Sequence, residues 1–162
     1  METIFYILSA VTLIGTLLAI TARQAVHAIV YVVTSFFALA LIFYLLGAPL
    51  IAAFEVILYA GAIMVLFLFV IMMLDLAHPE KLVTPRLADW WPAVVLFAVL
   101  LCAAVVLVTR QGLPAASPPG FAGVSVRAFS VALFRRYGVA VEIISMQLLF
   151  ALVGALYLGR RR

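Results

Sequence analysis

The chain has 162 residues, of which 69% are hydrophobic and 10% are charged, and its formal net charge is +4. A soluble domain is typically about half apolar and about a quarter charged, so this composition indicates a membrane protein. The positive charge does not indicate a nucleic-acid-binding protein, because the arginines lie at predicted helix ends and in connections instead of on one polar face.

Five long apolar segments predict five membrane-spanning helices, since a helix needs about 20 apolar residues to cross the hydrocarbon of a bilayer. Barrel strands are about half as long and alternate between apolar and polar residues, so the predicted fold class is all-α, in a single membrane domain. The predicted helices cover residues 4–22, 26–46, 51–75, 92–109 and 139–158.

Short connections join the first three of these helices, which predicts that the three pack as antiparallel neighbours. The second helix is expected to end at Gly47 and Pro49, because the residue before a proline disfavours the helical conformation. The third helix then begins within a few residues, so its first turn should lie close to the membrane surface.

The third helix contains an acid, a tyrosine and a glycine within two turns, at Glu55, Tyr59 and Gly61. An ionised acid inside the hydrocarbon costs about 3 kcal/mol and is by default a functional-site hypothesis. Glu55 either relays protons or turns to the membrane surface or to a donor of a neighbouring subunit. Tyr59, one turn further on the same face, either extends a hydrogen-bonded path or only packs. Gly61 allows close helix packing or marks a weak point where the helix bulges.

Two longer connections come after the third helix. The first, residues 76–91, is polar, and the two tryptophans at its end are typical of an interfacial aromatic belt. The second, residues 110–138, is rich in Gly and Pro in its first half. Its second half carries Phe129 and Leu133 among three arginines, which predicts either a short helix on the membrane surface or an irregular loop docked on a neighbour.

The distribution of Lys and Arg predicts the orientation of the chain. Five crossings place the two termini on opposite sides, and six of the ten basic residues then share the side of the C-terminus. The positive-inside rule therefore favours an N-terminus outside and a C-terminus in the cytoplasm. In this orientation the loop 76–91 is cytoplasmic and the loop 110–138 is periplasmic.

The sequence gives no indication of a cofactor, a metal ion or a catalytic centre held by this chain alone. It contains no dinucleotide fingerprint and no phosphate-binding loop, and no Cys/His cluster has metal-ligand spacing. The single cysteine, Cys102, excludes an internal disulfide and is interpreted as a small hydrophobic residue.

Three stretches resemble one known family. EVILYAGAIMVLFLFVIMMLDL, residues 55–76, closely resembles the third helix of subunit J, also called chain 6, of NADH:quinone oxidoreductase, respiratory complex I. Residues 20–56 resemble the end of the family's first helix, its second helix and their turns. LFRRYGVAVEIISMQLLFALVGALYLGRR, residues 133–161, resembles its last helix, with Glu142 at the family's acidic position and Gln147 as a departure.

The resemblance implies a membrane subunit, without a redox centre of its own, of a respiratory-chain translocase. That complex uses NADH, FMN, iron–sulfur clusters and quinone, and it pumps protons through antiporter-like subunits. The implied partners are membrane lipid and the complex I membrane subunits of the A, H and K families and the antiporter-like N, M and L families. The implied location is the bacterial plasma (inner) membrane, in preference to an organellar inner membrane.

In that family the third helix carries a π-bulge that converts to regular α-helix, and the conversion is thought to open or close a water-filled proton path. Carried onto this chain, Glu55 and Tyr59 would be path residues. The bulge would lie around residues 59–65, with Gly61 as its soft point and with Met64 and Val65 at its end. The function expected is coupling of quinone reduction to proton pumping through this gate. The alternatives are a scaffold subunit of the same complex with no direct proton role and, with less support, a free-standing small transporter.

Overall fold

The computed structural model describes residues 2–22, 24–75, 91–111 and 125–160. All secondary structure within these ranges is helical, which confirms the all-α fold class for the part of the chain described. Nearly all of the predicted cytoplasmic loop 76–91 and the Gly/Pro-rich half of the loop 110–138 lie outside the described residues. The predicted orientation of the termini stays a prediction.

The helices come one after another in a simple order, and the third long helix has three parts. Its parts are α3, a π-helical segment and α4, and together they form the third span, Pro49–Leu74. The elements are α1 Glu2–Thr21, α2 Ala25–Leu45, α3 Pro49–Phe54, the π segment Glu55–Ile63, α4 Met64–Asp75, α5 Trp91–Gln111, α6 Val126–Arg136 and α7 Gly138–Gly159.

Five of these helical stretches in the described ranges are long and apolar enough to cross a membrane, which confirms the five predicted helices. The five are α1, α2, the third span, the first 19 residues of α5 and the whole of α7. The chain divides into two compact units, residues 1–123 and 124–162.

The turn between α2 and α3 places the third span next to α2. The Ala48 N–H donates to the Phe43 carbonyl and the Gly47 N–H donates to the Tyr44 carbonyl, which is the Schellman arrangement of a helix C-terminus. Gly47 has a φ of 81°, which a residue with a Cβ adopts only at a cost. Pro49 then occupies the first turn of α3, where its missing N–H is not needed.

Close contact between α1 and α2 depends on small and hydroxyl-bearing residues. A Cβ added to Gly15 would lie 3.3 Å from the Tyr31 carbonyl oxygen, so the two backbones approach each other at this point. The Thr16 and Ser35 hydroxyls lie 3.1 Å apart, and the Ser35 hydroxyl also donates to the Thr12 carbonyl at 3.1 Å. Small residues and interhelical hydroxyl hydrogen bonds are the usual means of joining helices in lipid.

The buried core of the first unit lies between α1, α2 and α5. The buried residues of α5 alternate three and four positions apart, as in a coiled-coil seam: Ala93, Leu96, Leu100, Ala103 and Leu107. Helix α2 contacts α1, α5 and all three parts of the third span, so it is the central helix of this unit. The third span therefore has α2 as its main neighbour within this unit.

Candidate functional site

The third span changes its hydrogen-bond pattern at Glu55. The N–H of Glu55 still donates to the Ile51 and Ala52 carbonyls, as in an α-helix. At the other end of the π segment, the Met64 N–H donates to the carbonyl of Tyr59, five residues earlier. Bonds of this i to i−5 type define a π-helix, which inserts one extra residue into the turn and is frequent at functional sites.

The extra residue shifts which side chains of the third span face the rest of the chain. In a regular α-helix, neighbours on one face recur every three or four residues. Here the buried positions are Ala52, Glu55 and Ala60, so the step from Glu55 to Ala60 is five residues. At 100° per residue, positions 55 and 60 of an α-helix would lie about 140° apart. The π segment therefore brings both residues to the buried face.

Glu55 lies in the third span, and its side chain is buried, with 8% of its surface exposed. Residues 2–22, 24–75 and 91–109 contain no lysine or arginine, and the first cation of α5 is Arg110 in its last turn. These ranges therefore offer the Glu55 carboxyl no lysine or arginine with which to form a salt bridge. Because a buried, uncompensated carboxylate is costly, this carboxyl is suited to holding a proton or to pairing with another subunit.

Tyr59 lies beside the buried face instead of on it, with 46% of its surface exposed. Its ring packs against Phe36 of α2, with ring centroids 5.6 Å apart and an interplanar angle of 54°. Among the described residues, no hydrogen bond joins the Tyr59 hydroxyl to the Glu55 carboxyl. In this conformation the two residues expected to form one path are therefore near neighbours in sequence but not directly bonded.

Gly61 lies inside the π segment and is exposed. A Cβ added there would lie 3.1 Å from the Val56 carbonyl oxygen, five residues earlier in the same helix. Within the described residues, no other helix supplies an atom within 4 Å of that position. Within the described part of the chain, the missing side chain of Gly61 therefore does not serve packing against another helix.

An apolar cleft of about 290 Å³ lies beside the downstream half of the π segment. The third span contributes Ala60, Met64, Val65 and Leu68 to it. The other lining residues come from α2 and α5, and they are Ile29, Val30, Val33, Thr34, Phe37 and Phe97. The Thr34 hydroxyl donates to the Val30 carbonyl at 2.8 Å, so even this polar group is already satisfied. The cleft provides space into which side chains of the third span can move.

The sequence pattern did not point to several residues of this site. Phe36, Ala60 and the cleft-lining residues of α2 are apolar residues in apolar helices, and no local signal distinguishes them from lipid-facing neighbours. No sequence signal marked the five-residue spacing between the buried residues Glu55 and Ala60 either. In the described ranges, no three His, Cys, Asp or Glu side chains come together as a possible metal site.

Comparison with known proteins points to one family. The sequence model described as NADH-ubiquinone/plastoquinone oxidoreductase chain 6 matches residues 15–158. A Pseudomonas aeruginosa protein named NADH-quinone oxidoreductase subunit J is 40% identical over 166 residues, which cover 99% of this chain and 98% of the relative. The protein of that name from Escherichia coli K12 is 39% identical over 163 residues, 99% of this chain and 87% of its own length. The protein of that name from Rhodobacter capsulatus is 34% identical over 164 residues, which cover 97% of this chain and 80% of the relative.

Proposed function

The chain belongs to the NADH-ubiquinone/plastoquinone oxidoreductase chain 6 family, and we propose that it is a membrane subunit of a proton-translocating NADH:quinone oxidoreductase. In this proposal the third span helps to couple quinone reduction to proton pumping by switching between two helical forms. The supporting observation is the five-residue step from Glu55 to Ala60, which places a buried acid at the start of a π segment.

Conversion of the π segment to α-helix is a rotation of its downstream half. Removal of one residue from a turn rotates the downstream residues by about 100° relative to the upstream ones. Side-chain tips lie about 5 Å from the helix axis, so each would move by about 8 Å. The positions now held by Ala60 and Met64 would then be taken by Tyr59 and Ile63. Such a discrete change between two packed arrangements is a recognised kind of molecular switch.

The rotation would change the chemistry of the face that contacts α2. In the conformation described, all lining side chains of the cleft except that of Thr34 are apolar, and the Thr34 hydroxyl is already hydrogen-bonded, so the cleft offers water few partners. In the α form, the Tyr59 ring would replace the Ala60 methyl group on the face that contains Glu55. The Tyr59 hydroxyl both donates and accepts hydrogen bonds, so it would extend a proton path from the Glu55 carboxyl. The two forms of the helix therefore differ in whether they conduct protons.

The redox chemistry of the complex is assigned to other subunits in this proposal. NADH, FMN and iron–sulfur clusters need phosphate-binding loops or cysteine ligands, and the donor set of the described helices does not fit them. This subunit would act in the bacterial plasma membrane beside subunits of the A, H and K families and the antiporter-like N, M and L families. Its own residues hold and pass protons, and they exclude water when the path is closed.

The experiment that tests the proposal is Glu55→Gln in the assembled complex. The amide cannot release or take up a proton, so we expect coupled NADH:quinone turnover and proton pumping to fall by roughly tenfold or more. Oxidation of NADH by an artificial acceptor should not change, because it does not use the membrane subunits. Glu2→Gln, at an exposed acid in the first turn of α1, is the matched control and should behave as the unsubstituted complex.

The same experiment separates a proton role from a scaffold role. A Glu55→Gln complex that assembles and pumps at the native rate would support the scaffold function and remove Glu55 from any proton path. If the Glu55→Gln complex does not assemble in the membrane, the test uses Glu55→Asp, which keeps a carboxyl group. Under the proposal the aspartate complex pumps measurably, and an assembled aspartate complex as inactive as the glutamine one would contradict it.

A further inference from the structure

Helix α6, Val126–Arg136, carries three exposed arginines and no acid. The helix begins at Ser125, whose hydroxyl oxygen accepts a hydrogen bond from the Ala128 N–H at 3.1 Å. This cap and the 11 helical residues after it make α6 a defined helix and not an irregular loop. Its positive charge is therefore presented by a fixed surface.

Two of the three arginines, Arg127 and Arg135, lie opposite the half-buried apolar residues of α6, whereas Arg136 at its last position lies on the apolar side. Phe129 and Leu133 are one turn apart and both are half-buried. Arg127, Val131 and Arg135 form a second row at the same four-residue spacing, and all three are exposed. At 100° per residue, the centres of the two rows lie about 180° apart. Such a helix is suited to an interface between an apolar and an anionic environment.

The position of α7 places one end of α6 at the membrane surface. Helix α7 begins at Gly138, so only Tyr137 separates it from Arg136 at the end of α6. The 22 residues of α7 extend over about 33 Å, which is close to the hydrocarbon thickness of a bilayer. The first turn of α7 must therefore lie at one face of the membrane. Exposed Tyr137 is of the residue type that concentrates at that level.

From these observations we propose that α6 is a docking site for anionic phospholipids. Arg127 and Arg135 bind headgroup phosphates, while Phe129 and Leu133 face the apolar side. Guanidinium groups match phosphate oxygens in a bidentate geometry, and each basic residue near an anionic membrane surface adds to binding. This inference depends only on α6 and α7, so it stands or falls independently of the proton path at the third span.

The test uses the full-length chain reconstituted in lipid vesicles, with a nitroxide label on α6. Cys102 is the only cysteine, so Cys102→Ser followed by Ala132→Cys creates a single labelling position on an exposed part of the helix. Collision of the label with oxygen and with a water-soluble nickel chelate reports whether α6 is docked. Vesicles of phosphatidylglycerol are compared with vesicles of phosphatidylcholine. In each lipid, the double variant Arg127→Gln/Arg135→Gln is compared with the control variant Arg160→Gln, at the other end of α7.

We expect the label to be shielded from the nickel chelate in phosphatidylglycerol and accessible in phosphatidylcholine. The ratio of docked to undocked α6 should fall about fivefold for each arginine removed, hence about 25-fold for the double variant, and Arg160→Gln should leave it unchanged. Equal shielding in the two lipids would overturn the proposal. So would full shielding of the double variant in phosphatidylglycerol. If the variant cannot be reconstituted, the comparison of lipids with the unsubstituted arginines still decides the outcome.

Discussion

Replacement of Gly61 by valine should shift the third span from the π form toward the α form. A Cβ at position 61 lies 3.1 Å from the Val56 carbonyl oxygen, whereas ordinary contacts begin at 3.4 Å. The π turn must therefore give way by a few tenths of an ångström, and a backbone distortion of that size costs about 1 kcal/mol. We take this cost as specific to the π form, because the contact is made with a carbonyl five residues upstream, which the π turn brings next to residue 61. About 1 kcal/mol changes the ratio of the two forms about fivefold.

The assay for Gly61→Val compares two activities of the same assembled complex. If turnover requires both forms, coupled NADH:quinone turnover with proton pumping should fall about fivefold. NADH oxidation by an artificial acceptor should stay at the native rate. Gly154→Val is the matched control, because a Cβ at Gly154 of α7 meets no atom within 4 Å. Native pumping by an assembled Gly61→Val complex would refute the reasoning, as would an equal loss in the Gly154→Val complex.

Three further substitutions test the helix packing around this site. Ala60→Leu extends a larger side chain into the apolar cleft and takes up space that side chains of the third span need in order to change places. Coupled turnover should therefore fall, and native turnover would show that the switch does not use the cleft. Gly47→Ala puts a Cβ at a φ of 81° and should lower the free energy of unfolding by about 1 kcal/mol. Thermal denaturation in detergent measures this change, and an unchanged midpoint would argue against the Schellman turn. Ser35→Ala removes hydroxyl bonds to Thr12 and Thr16 and should weaken α1–α2 association by about 0.6 kcal/mol, and a double-mutant cycle with Thr16→Val should be non-additive.

Length and hydropathy were sufficient to predict the five membrane helices. Each is a run of about 20 apolar residues, and a backbone in lipid satisfies its polar groups by forming a helix. Gly47 and Pro49 predicted the end of α2 for the same local reasons that the structure displays: a positive φ and a missing N–H. Such signals depend on one or two residues, so they are readable without tertiary contacts.

The change of helical register within the third span could not be predicted from such local signals. Because Ala60, Gly61 and their neighbours are apolar on every side, no polar stripe marks the point where the step between buried residues changes from four to five. The family resemblance suggested a bulge around residues 59–65, whereas the π segment of the structure runs from Glu55 to Ile63. Met64 and Val65 begin the α-helix that comes next and line the apolar cleft.

The second half of the long loop left two alternatives open, a surface helix or an irregular loop. Its residues form α6, and the cap at Ser125 explains where the helix starts. The alternation of arginines with Phe129, Leu133 and Phe134 was too short a pattern to decide between the two from sequence. Contact with α7 in the same unit supplied the information that periodicity lacked.

The most direct test of the switch is the hydrogen-bond register of the third span in the assembled complex, at rest and during turnover. High-resolution structures of both conditions would show whether the Met64 N–H donates to the Tyr59 carbonyl, as in the π form, or to the Ala60 carbonyl, as in an α-helix. We predict that both registers are populated during turnover and that water reaches Glu55 in one of them. A single register in every condition, with no water beside Glu55, would contradict the account.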